Sequence, residues 1–114
     1  MARSDVKAVT ITADTVALDA DGISVAASVG NNAALVIGGA LASGGAVALS
    51  HGRVVTILSA GNDAAKSFTV TGTDVNGDAQ TESITGANAG TATGTSYFLT
   101  ISGISAVGNP AGNV

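Results

Sequence analysis

Residues 67–86 read SFTVTGTDVNGDAQTESITG, two short runs rich in Thr, Val, Ser and Ile set around Asn76-Gly77. An Asn-Gly pair between alternating runs is a strong local hairpin signal, because glycine accepts the positive φ that a tight turn requires. Loop length fixes the register, and the register decides which side chains share a face. A two-residue loop at Asn76-Gly77 pairs Val70 with Ser83 and Phe68 with Thr85, mixing apolar and polar residues on both faces. A three-residue loop, Val75-Asn76-Gly77, pairs Phe68 with Ile84 and Val70 with Glu82, and sets Thr69 opposite Ser83 and Thr71 opposite Thr81. This second register separates the faces better and puts Gly77 where positive φ is wanted, so the three-residue loop is expected.

The same period of two recurs along the chain. Residues 6–12 alternate, with Val9 and Ile11 on one face and Thr10 and Thr12 on the other. Further strands are expected at 23–25, 35–37, 46–49, 53–58, 67–72, 80–85 and 96–107. The stretches between them, such as LDADG, VGNN, SHG, SAGND and GANAGTATG, are rich in Gly, Asn, Ser and Ala. Helices near 24–30 or 40–48 are disfavoured, since glycines 38, 39, 44 and 45 each cost a helix about 1 kcal/mol relative to Ala. Short strands joined by turns predict an all-β fold, an antiparallel β-sandwich or a small β-barrel. An N-terminal arm over 1–7 and a single β domain over 8–114 are the expected organisation.

Composition narrows the functions open to such a fold. Only 11% of the 114 residues are charged, against about a quarter in an average chain. With a mean hydropathy of +0.46, part of the apolar surface of so small a domain is expected to meet a partner or a second copy. Arg3, Lys7, Arg53 and Lys66 are the only Lys and Arg residues, and the net charge is −4. That excludes the clustered cations with which proteins bind nucleic-acid backbones or anionic membranes. There is no cysteine, hence no disulfide or thiolate metal site. The beginning, MARSDVKAVTITADT, alternates instead of giving the apolar run of an export signal. Residues 33–50 are uncharged, but two Gly-Gly pairs make them weakly hydrophobic, and two buried strands are expected there rather than a membrane span.

Candidate sites each carry a plainer structural reading. In the chosen register Asp74 and Asp78 face each other across the hairpin mouth, where like charges repel. A calcium ion held by Asp74, Asp78 and the Asn76 carbonyl would relieve this. Yet Ala79 and Thr85 stand where an EF-hand loop requires Gly and Glu, and a turn bonded to its own backbone is the expectation. Asp19 and Asp21 in LDADG are read as turn residues and not as a general acid–base pair. His51, the only histidine, is expected as an exposed turn residue in LSHGR, since no nucleophile motif accompanies it. Tyr97, Leu99 and Ile101 are assigned one buried strand face, and with Phe68 and Phe98 the aromatics are too few for a sugar platform. Lys66 is read as a solvent-facing strand-end residue, not as half of an isopeptide bond. No cofactor and no enzymatic activity are expected.

From Arg53 onward three stretches, SAGND, FTVTGTD-x-NGDAQTE and TGANAGTATGT-x-YF, resemble small β-rich structural proteins of tailed bacteriophages. The N-terminal half contributes ALVIGGAL alone. The resemblance covers a little over half of the chain and is closest to capsid decoration (cement) proteins. It implies a virion component on the outer surface of the capsid, bound to the major capsid protein as a homotrimer and bridging its subunits. Arg3 and Lys7 of the arm would be capsid contacts, and residues 86–95 a long small-residue contact loop. The alternative is an immunoglobulin-like binding module of a tail fibre or adhesin.

Overall fold

The computed structural model describes residues 22–114, and within them the chain is all-β. Seven strands follow in order: β1 (Ala42–Ser43), β2 (Ala46–Arg53), β3 (Thr56–Leu58), β4 (Ser67–Thr73), β5 (Ala79–Thr85), β6 (Thr91–Thr93) and β7 (Phe98–Val107). They form a five-stranded sheet, β1-β2-β7-β4-β5, and a two-stranded sheet, β3-β6, with every pairing antiparallel. The two sheets close over one core as in a small β-sandwich. Val47, Phe68, Val70, Ile84, Phe98, Ile101, Ile104 and Ala106 come from the large sheet, Ile57 from β3, and Val29, Leu35, Ile37 and Val55 from the connecting segments. Each fully buried branched or aromatic side chain contributes about 1.5–3 kcal/mol. In a chain this poor in aromatics, Phe68 and Phe98 are the largest side chains in that core, and both are fully buried.

The β4–β5 register is the one expected. Phe68 lies opposite Ile84, Thr69 opposite Ser83, Val70 opposite Glu82 and Thr71 opposite Thr81. Strand β7 is the hinge of the large sheet. On one side it pairs with β4 along nearly its whole length. Its other side is shared by β2, at 98–101, and by the segment around Ala34, which bridges Ser105 and bonds through Leu35 N to Ile104 O at 2.8 Å. A register shift between Thr71 and Gly72 lets β7 bend where it changes neighbours. A Cβ at Gly72 would overlap the Thr100 carbonyl oxygen, so the shift demands glycine there.

Several expectations are corrected. Residues 35–37 bury Leu35 and Ile37 but form no strand, because only Ala34 meets β7 in bridge geometry. Residues 23–25 are not a strand either. They are held by Gly39 N on Ile23 O and Leu41 N on Gly22 O, at 2.9 and 2.7 Å. The run 53–58 is broken at 54–55, with Arg53 ending β2 and Thr56 beginning β3. Residues 86–95 are not one long loop: they contain β6, whose Ala92 packs toward the core between two exposed threonines. No helix among the described residues is long and apolar enough to cross a membrane. The proposed arm over 1–7 and the strand over 6–12 lie outside the described residues.

Candidate functional site

The hairpin mouth is organised by its own backbone. Asp74 N donates to Asp78 O at 2.9 Å, and Gly77 N donates to Asp74 O at 3.0 Å. Gly77 has φ 85°, the left-handed value that closes a three-residue loop. Asp74 Oδ1 accepts from Asn76 N at 2.8 Å and from Asp78 N at 3.0 Å. One carboxylate oxygen thus gathers two amides, the local side-chain bonding that favours Asp in turns. No group of three or more His, Cys, Asp or Glu side chains suited to a metal occurs among the described residues.

His51 is exposed, but it lies within β2 and not in a turn. Strand β2 carries an irregularity between Ala48 and Arg53, so the Ser-His-Gly run is absorbed in the strand instead of ending it. Tyr97 is corrected too. It is 62% exposed, and Phe98 enters the core in its place. The same offset between β2 and β7 breaks simple alternation between residues 98 and 101, where both Phe98 and Ile101 are buried. Lys66 is half-buried just before β4. Asp19, Asp21, Arg3 and Lys7 lie outside the described residues.

Two carboxylates that the sequence reading did not single out hold the fold together. Glu82 projects from the core-facing side of β5 at the sheet edge. Its Oε2 accepts from Thr95 N at 2.6 Å and Thr95 Oγ1 at 3.2 Å, and its Oε1 accepts from Ser96 N at 3.2 Å. Gln80, on the same face, donates Nε2 to Tyr97 O at 2.8 Å. Together they clasp the loop that delivers Phe98 to the core. Asp63 is wholly buried, and its Oδ1 accepts from Ala111 N at 2.6 Å. Its backbone also joins the Ala87 carbonyl and Lys66 N, both at 2.9 Å, so one residue ties the C-terminal segment to two loops. The signal available in sequence was slight: a single acid in SAGND, a run of small residues.

The described surface has one further prominent feature, an apolar groove of about 550 Å³ between β2, β3 and residues 22–41. Ile23, Leu35, Leu41, Leu49 and Leu58 line it, and His51 does not. The outer face of the large sheet is different in kind. There β4 presents Ser67, Thr69, Thr71 and Thr73, and β5 presents Ala79, Thr81, Ser83 and Thr85. Ser105 and Val107 of β7 continue that face. It carries hydroxyls and methyls and no charged side chain on these three strands. Comparison of the chain with protein-family profiles, with curated proteins and with solved structures finds no match.

Proposed function

We propose that this protein is a capsid decoration protein of a tailed bacteriophage, one that binds the outside of an assembled head shell and strengthens it by bridging capsid subunits as a homotrimer. The observation that carries the reading is the broad uncharged outer face of β4, β5 and β7, beside which Val36 is 79% exposed. A surface of this kind can dock against protein without desolvating charges, whose burial is costly unless each finds a partner. The resemblance of SAGND, FTVTGTD-x-NGDAQTE and TGANAGTATGT-x-YF to phage structural proteins points in the same direction. Arg3 and Lys7 supply the cationic arm that would reach an acidic neighbour. Attachment through three copies makes weak individual contacts sufficient, because linked contacts release slowly from a rigid lattice.

The reading is tested by heating shells that lack the protein, with and without it added back. Shells carrying it are expected to stay intact at a temperature at which bare shells open. Equal opening temperatures would overturn the strengthening role, and binding of the protein to host cells instead would favour the tail-fibre or adhesin module.

A further inference from the structure

Asn76 is the one asparagine of the chain that a glycine follows. Glycine has no side chain to keep its backbone nitrogen from approaching the Asn76 side-chain carbon, Cγ. The other asparagines are less favoured. Asn109 precedes Pro110, whose nitrogen has no proton to give up, and Asn113 precedes Val114, which is branched at Cβ. Asn76 and Gly77 are both exposed at the hairpin tip, within reach of water.

The turn restrains this pair. Gly77 N donates to Asp74 O at 3.0 Å and closes a β-turn over 74–77, in which neither Val75 nor Asn76 has a positive φ. That is a type I turn, whose third residue has a ψ of about 0°. For Gly77 N to reach Asn76 Cγ and close a five-membered ring, the Gly77 peptide must swing about the Asn76 Cα–C bond. Gly77 N then leaves Asp74 O. Asp74 Oδ1 opposes the swing, because it holds Asn76 N at 2.8 Å and Asp78 N at 3.0 Å, one amide on either side of Gly77.

We propose that Asn76 is a site of spontaneous deamidation and that Asp74 is the latch that slows it. Gly77 N bonds to Asn76 Cγ and gives up its proton, and the side-chain nitrogen leaves as ammonia. Water then opens the succinimide. Breaking the new Cγ–N bond leaves aspartate; breaking the original C–N bond leaves isoaspartate, with a main chain one methylene longer. Either product adds a carboxylate between Asp74 and Asp78, where like charges repel. Isoaspartate also lengthens the three-residue loop that sets the β4–β5 register. None of this depends on shell binding.

The full-length protein is incubated at neutral and at mildly alkaline pH, and conversion is followed by peptide mass analysis and by enzymatic methylation of isoaspartate. Asn76 is expected to convert before any other asparagine, and faster at the higher pH. Asp74→Ala is expected to speed conversion about fivefold, the factor that one hydrogen bond of ordinary worth supplies. Asp74→Asn, which keeps an acceptor oxygen, should speed it less. Glu82→Ala loosens the fold away from the turn and is expected to leave the rate nearly unchanged. First conversion at another asparagine, or none at Asn76, would overturn the site. An unchanged rate in Asp74→Ala, or equal acceleration by Glu82→Ala, would overturn the latch.

Discussion

At the hairpin tip a single oxygen, Asp74 Oδ1, takes the N–H groups of Asn76 and Asp78. Asp74→Ala is expected to cost about 1 kcal/mol in denaturant unfolding, the usual worth of such bonds. Calcium or a chelator should leave Tm unchanged, since the amides already oppose the carboxylate charge. Glu82 has more to lose: its carboxylate receives two backbone N–H groups and a hydroxyl from Thr95 and Ser96. Bonds to a charged acceptor are worth about 1.5–3 kcal/mol. Glu82→Ala is therefore expected to destabilise by roughly 2 kcal/mol, and Glu82→Gln, which keeps one acceptor oxygen, by less. The two acids differ in how far they could be read from sequence. Asp74 bonds to residues two and four positions away, so its role follows from local spacing. Glu82 and Asp63 bond to partners 13 to 48 residues distant, and no local pattern announces a contact that only the closed fold creates.

At the scale of the strand, the β4–β5 pairing was legible because turn chemistry and facial separation agreed on one register. Strand β6 was not, because Thr91–Thr93 lies among small residues that read as loop; its pairing with β3 and the turning of Ala92 toward the core make it a strand. The burial of Tyr97 was misjudged for a related reason. Period-two reasoning assumes an unbroken ladder, and β7 shifts register against both of its neighbours. That shift makes a sharp prediction at Gly72, where any Cβ meets the Thr100 carbonyl. Gly72→Ala should destabilise by roughly 1–3 kcal/mol through overpacking. Thr71→Ala beside it, on the exposed face, should stay within about 0.5 kcal/mol. Denaturant titration of the two variants makes the comparison.

For the whole molecule, the sequence disclosed an all-β class, a low charge and an apolar surplus, but not where that surplus lies. The structure puts part of it along the groove beside β3, which the exposed Leu41, Leu58 and Tyr97 line, whereas the outer sheet face is uncharged but chiefly hydroxyl-bearing. The outer face is the one proposed above to meet a partner. Thr71→Lys together with Ser83→Lys places two charges on neighbouring strands of that face, both at exposed positions. The pair is expected to weaken shell binding at least tenfold, with Tm changed by only a few degrees. The most direct measurement is co-sedimentation of labelled protein with expanded heads that lack it. Shell attachment predicts saturable binding at one trimer per local symmetry axis and little binding to free capsid subunits. Protein left in the supernatant at every concentration would contradict it.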